Sequence, residues 1–203
     1  MIDRFREAID AAFTAAAVPL APGALEAFAR WAELLATWNR RIALTTIVEP
    51  RDVAERHLLD ASLVSIDPAP AEHLVDVGSG AGVPGLPVAV LRPDLQVTVV
   101  ERVAKKVAFL RAAVDALKLS NVTVLRTDLA ALPAAGFDRA VSRALMGPAQ
   151  WIAAARRIVR PDGHVGLMVA RESELPEGVS IAQVRRVTLP SDGAERVLAW
   201  VRV

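Results

Sequence analysis

The chain has 203 residues, no cysteine and a formal net charge of +1, from 24 basic and 23 acidic side chains. That composition excludes a disulfide framework and a thiolate-ligated metal. It also lacks the strongly basic balance of a protein held to nucleic acid by phosphate contacts alone. With 53% hydrophobic residues and a mean hydropathy of +0.35, the chain is expected to fold rather than stay disordered. No apolar run reaches the roughly 18 residues of a membrane span, and "MIDRFREAIDAAF" lacks a signal peptide's apolar stretch. A cytoplasmic protein that does not engage a membrane, acting as a monomer, is expected.

The first 66 residues read as helices and are taken as an N-terminal helical extension, residues 1–66. Ile2, Phe5, Ile9, Ala12, Phe13 and Ala16 recur at helical spacing. Pro19 and Pro22-Gly23 interrupt the pattern, and Leu25, Phe28, Ala32, Leu35 and Trp38 form a second stripe. A third helix is predicted from about Pro50, with Val53, His57, Leu58, Ala61 and Val64 on one side. "IDPAP" (Ile66–Pro70) is a stiff linker into a second unit, residues 71–203.

There the texture becomes alternating: strand 73–77, helix 84–91, strand 97–101, helix 103–118, strands 122–126 and 137–142, helix 148–160, strand 164–170. Short buried strands between helices predict a parallel α/β sheet with right-handed crossovers. The end differs. Two strand-like runs flank Ser191-Asp192-Gly193, a turn sequence that predicts a hairpin.

The stretch "HLVDVGSGAGVPGLP" (His73–Pro87) places bare backbone at the end of the first strand, where N–H groups can approach a ligand with no Cβ in the way. Two registers compete. Gly80, Gly82 and Gly85 satisfy the dinucleotide fingerprint G-x-G-x-x-G. Asp76, Gly78, Gly80 and Gly82 instead start at the strand's end, as in motif I of S-adenosylmethionine (SAM)-dependent methyltransferases. Position favours the second, although a glycine-rich turn can be purely structural. Glu101 ends the next strand, where a carboxylate can accept both ribose hydroxyls of a nucleoside. Asp76, nearly buried, needs partners: loop N–H groups, or the amino group of SAM.

"WNRRIALT" (Trp38–Thr45), "RHLLDAS" (Arg56–Ser62), "VDVGSGAGVPGLPVAVLRP" (Val75–Pro93), "KKVAFL" (Lys105–Leu110) and "FDRAVSRA" (Phe137–Ala144) resemble, in order, the RsmG or GidB family. That family methylates N7 of guanine 527 in 16S rRNA. The resemblance implies a Rossmann-like class I methyltransferase with a mainly parallel seven-stranded sheet whose last strand is antiparallel. It implies SAM as cofactor and 16S rRNA in a small-subunit particle as partner. It places Gly78, Val83, Glu101, Leu129, Ala130 and Arg143 at the SAM site, has His57 and Asp60 face the cleft from the N-terminal helices, and matches Arg196 near the last strand. The chain departs from the family's usual residues at Ala43, Ala61, Asp128-Leu129-Ala130 and Met168-Val169-Ala170, the last removing a cation expected near the RNA.

Guanine N7 carries a lone pair and no proton, so positioning and electrostatics would suffice for its methylation. Arg143, Asp60 and His57 are the candidate catalytic residues. Arg143 would hold SAM's carboxylate or the base's O6 edge, or form a plain ion pair. Asp60 would read the guanine N1/N2 donors, cap a helix or pair with Arg56. His57 would face the cleft or pack in the core, and Trp38 would stack on a base or pack. Lys105, Lys106 and Arg196 would contact RNA, or Lys105 and Lys106 would form only a solvated helix face. No metal site is expected. A methyltransferase of the same fold acting on a small molecule, or a non-catalytic SAM- or ribosome-binding relative, are the competing readings.

Overall fold

The computed structural model describes all 203 residues. Helices α1 (Ile2–Ala15) and α2 (Ala24–Asn39) form where the two apolar stripes were read, and bury Phe5, Ile9, Phe13, Phe28, Trp31 and Leu35. Gly23 separates them at φ +79. A third helix, α3 (residues 50–65), opens with Pro50 in its first turn, where the missing N–H costs no hydrogen bond. It is not regular. Its middle, Ala54–Leu59, is a wide π-helical segment, a feature that concentrates at functional sites and that apolar periodicity does not report.

The remaining elements are β1 (His73–Val77), α4 (Gly85–Leu91), β2 (Gln96–Glu101), α5 (Ala104–Leu117), β3 (Val122–Arg126), β4 (Phe137–Ser142), α6 (Pro148–Ala155), β5 (Val159–Val169), β6 (Ile181–Thr188) and β7 (Glu195–Arg202). They build one seven-stranded sheet in the order β3-β2-β1-β4-β5-β7-β6. Six strands run one way and β7 runs against both of its neighbours. The expected parallel sheet closed by an antiparallel last strand is therefore present, and Ser191-Asp192-Gly193 lies in the β6–β7 hairpin. One boundary is corrected. The helix expected over 148–160 stops at Ala155, and β5 begins at Val159 rather than 164. The chain turns at residues 156–158, where the Ile158 amide donates to the Ala155 carbonyl at 3.0 Å, and Val159 pairs with Phe137 before a register shift.

The pleat divides the apolar strand residues between two faces. Leu74, Val97, Val99, Val141, Leu198 and Trp200 join the helices of the extension in one core of 34 buried residues. Val75, Val77, Val100, Ala140, Val165 and Ala199 belong to a smaller core of 15, closed chiefly by α6. The side of the larger core is where α4 must lie very close to the sheet. A Cβ built on Gly85 would meet Val99 Cγ1 at 2.6 Å and Asp76 Oδ2 at 2.9 Å. Gly85→Ala is therefore expected to overpack this contact and cost about 1–3 kcal/mol, read as a lower urea midpoint with an unchanged slope.

Candidate active site

The glycine loop is built by two carboxylates beneath it. Asp76 is fully buried. Its Oδ2 accepts from Ser79 Oγ at 2.7 Å and from the Gly85 amide at 2.9 Å, while Oδ1 has no protein partner. Burial pushes its carboxyl up to about 6, against the pull of those two donors. Glu101 is also buried. It accepts from the Gly80 amide at 3.2 Å and the Val103 amide at 2.9 Å, so it fixes the loop and the start of α5 together. Gly78, Gly80 and Gly82 all have positive φ, at +76, +55 and +84, a region side chains avoid.

Over this loop lies a cleft of about 560 Å³, whose lining includes Gly78, Glu101, Lys106, Leu129, Arg143 and Leu145. Val103, Leu145 and Met146 also border it and are three of the seven large hydrophobic side chains left exposed in the whole chain. Such exposure is unfavourable unless something docks there. The structure thus brings Gly78, Glu101, Lys106, Leu129 and Arg143 to one cavity. Asp76 lies below the loop, and Gly80, Gly82 and Val83 form its frame rather than its lining. Ala130 is exposed beside the cleft, and Lys105 faces solvent from α5. Leu129 and Ala130 sit on a short 3-10 turn held by a residue that sequence reasoning missed. Arg157 donates to the carbonyls of Leu129, Ala130 and Leu132 at 2.6, 3.1 and 2.8 Å.

The helical extension reaches the same cavity through Arg143. This guanidinium donates to the Arg56 carbonyl at 2.8 Å and to His57 Nδ1 at 2.9 Å, and lies 3.7 Å from Asp60 Oδ2. Because an arginine can only donate, His57 Nδ1 must carry its lone pair. Nε2–H then donates to Thr45 Oγ1 at 3.2 Å. Thr45 is held in turn by Asn39, whose Oδ1 accepts from the amides of Leu44 and Thr45 and whose Nδ2 donates to the Thr45 carbonyl. The "WN…LT" stretch is thus a scaffold for the histidine, and Trp38 packs edge-on against Phe109. Burial, reinforced by Arg143, pushes the His57 imidazole down to about 3. Burial pushes the Asp60 carboxyl up, opposed by Arg143 and Arg196. Asp60 therefore faces Arg143 rather than Arg56, which pairs with Asp52 and Asp192. Arg196 has no ion pair and donates only to the Glu195 carbonyl.

A family model described as rRNA small subunit methyltransferase G matches residues 24–186. The chain belongs to the rRNA small subunit methyltransferase G family. Among its relatives, the ribosomal RNA small subunit methyltransferase G of an Anaeromyxobacter species is 38% identical over 208 residues, with 96% of each chain covered. The Myxococcus xanthus protein of the same name is 36% identical over 208 residues, covering 97% of this chain and 96% of its own. Solved structures share the fold at low identity. Pyrococcus horikoshii TYW2 in complex with MeSAdo aligns with a TM-score of 0.56 and 18% identity, over 72% of this chain and 62% of its own. M. jannaschii TYW2 in complex with AdoMet gives 0.56 and 16%, over 72% of this chain and 74% of its own.

The pinned histidine has a measurable consequence. His57 is held neutral when folded but titrates near 6.5 when unfolded. Its contribution is therefore complete above about pH 6.5 and is lost as pH falls toward 3, because the unfolded chain binds the proton first. Asp76, raised to about 6 from 3.8, acts with the opposite sign and favours the folded state as pH falls through 6. His57→Gln is expected to flatten the loss of stability between pH 6.5 and 4, as read by urea unfolding across that range.

Proposed function

We propose that the protein transfers a methyl group from SAM to N7 of a guanine in the 16S rRNA of the small ribosomal subunit. The observation that carries this reading is the cleft that Gly78, Glu101, Leu129 and Arg143 line together, in a chain of this family. The residues suit SAM. The cleft has room for a nucleoside, its floor is bare backbone, and a buried carboxylate faces it from the end of β2, where a ribose is held in open α/β sheets. Glu101 would hold the ribose hydroxyls, Leu129 would border the adenine, and Lys106 supplies a cation on the same wall. When bound, SAM supplies an electrophilic methyl: the N7 lone pair forms the new C–N bond as the C–S bond breaks, its electron pair staying on sulfur.

No proton leaves the acceptor in that exchange, and the site is arranged accordingly. His57 is neutral with both ring nitrogens engaged, Asp60 faces Arg143, and Asp76 is tied beneath the loop. None is placed as a free base. The chain's work is positioning. Arg143, fixed by the Arg56 carbonyl and His57, presents its remaining surface at the end of β4, where ligands of such sheets bind. Arg196, Lys105 and Lys106 would meet phosphates, with too few cations to grip naked RNA firmly. The substrate is accordingly a structured small-subunit particle.

The reading is tested by incubating the purified protein and SAM with small subunits from cells lacking this gene and mapping N7-methylguanine. One modified guanine is expected. Methylation of a different atom, or none, contradicts the proposal. Two substitutions divide the labour. Glu101→Ala is expected to weaken SAM binding at least about tenfold, seen by calorimetry. Arg143→Ala is expected to slow single-turnover transfer on the order of a hundredfold while SAM affinity falls much less.

A further inference from the structure

A second cavity, of about 200 Å³, opens beside the cleft where β4 and β5 end. It is smaller than the roughly 300 Å³ lower bound of usual small-molecule sites and suits a single nucleobase. Arg143, Ala144 and Met146 line both cavities, so the two meet at that wall. Met146, Pro148, Trp151 and Met168 make the smaller one apolar. Its other polar groups are committed. Ser142 Oγ donates to the Val77 carbonyl at 2.9 Å, and Trp151 Nε1 to the Gly166 carbonyl at 3.0 Å. Glu174 is the exception. It lines the smaller cavity and not the cleft, and its carboxylate accepts one long 3.4 Å bond, from the Ala170 amide. It pairs with no cation, whereas Glu172, two residues earlier, pairs with Arg186.

We propose that this cavity receives the acceptor guanine and that the Glu174 carboxylate reads its N1–H and N2–H₂ donors. The inference rests on the guanine-N7 reading above and assigns the recognition role to Glu174 instead of the buried Asp60. Guanine presents N7 and O6 as adjacent acceptors, and its donors N1–H and N2–H₂ follow around the ring. With N7 at the wall shared with the cleft, O6 falls beside Arg143 and the donor edge turns toward Glu174. Glu174 is exposed in the free protein; guanine would satisfy its carboxylate with two donors, whereas adenine would set a lone pair at N1 against it, acceptor facing acceptor with no bond formed. The carboxylate has a second effect. As N7 becomes alkylated the purine ring gains positive charge, and an anion bonded to its N1/N2 edge favours that state over the neutral base.

The test is single-turnover methyl transfer from labelled SAM to small subunits lacking the modification, with Glu174→Gln, Glu174→Asp and Glu174→Ala beside the wild type and Glu172→Gln as a surface control. Calorimetry with SAM on each variant reports folding and an intact cleft. Glu174→Gln keeps the shape and loses the charge, so its maximal rate is expected to drop about tenfold, the scale of one hydrogen bond to a charged group. Glu174→Ala should lose at least as much and also raise the substrate concentration needed for half-maximal rate, Glu174→Asp should recover part of the rate, and Glu172→Gln should match the wild type. SAM affinity should stay within about twofold throughout. Wild-type rates for Glu174→Gln and Glu174→Ala would overturn the role of Glu174 and leave the methyltransferase reading standing. Failure of the wild type to methylate would overturn that reading and this inference with it.

Discussion

The structure of the site depends on one constraint: an arginine can donate hydrogen bonds and cannot accept them. Arg143 sits where β4 ends and spends its fork on the Arg56 carbonyl and His57 Nδ1. Both acceptors lie in the wide π-helical segment of α3, and the donation sets the histidine's tautomer, its neutrality and its link to Thr45. From Thr45 the chain of contacts returns to Asn39 at the end of α2. The helical extension is thereby joined to the cleft edge of the sheet by polar geometry as well as by the shared apolar core. A lysine could not do this, because one ammonium does not reproduce a planar fork aimed at two acceptors.

The same economy governs the buried acids. Asp76, Glu101 and Asp60 are each at most 7% exposed, and a buried carboxylate is costly without partners. Each is offset by a contact that also shapes the site. Asp76 draws Ser79 and Gly85 together, Glu101 holds Gly80 and Val103, and Asp60 faces Arg143. The hairpin is drawn in similarly. Buried Glu55 accepts from both the amide and the hydroxyl of Ser191, which holds the β6–β7 turn against α3 and keeps Arg196 near the cluster. The sheet's two faces are unequal in consequence. The extension deepens one core, while short irregular segments around 129–136 and 171–180 border the other and leave room for cavities at the strand ends.

Much of this was legible from residue spacing. Short continuous apolar runs with intervening helices located the strands, except that β5 begins at Val159 rather than 164, because a strand buried on both faces has little compositional freedom. The glycine loop and Glu101 were legible because their positions follow from where strands end. What escaped detection depends on contacts distant in sequence. The π-helical segment in α3 leaves the apolar pattern intact, so Ala54–Leu59 looked like ordinary helix. Arg157, 25 to 28 positions from the carbonyls it holds, reads as one of many surface arginines. His57 packs in the core, buried and edge-on to Trp31, and is joined to the cleft only through Arg143, which lines it. Asp76 had its ambiguity resolved toward the loop by two short bonds that no spacing predicts.

The central claim, that Arg143 and His57 act as one unit joining α3 to the sheet, is tested most directly by a double-mutant cycle on unfolding free energy at neutral pH. Arg143→Ala, His57→Ala and the double substitution would be compared with the wild type by urea denaturation. Residues in direct hydrogen-bond contact couple by about 0.5–3 kcal/mol, and a coupling of at least about 1 kcal/mol is predicted for this pair. Additivity within about 0.3 kcal/mol, the behaviour of independent sites, would contradict the account.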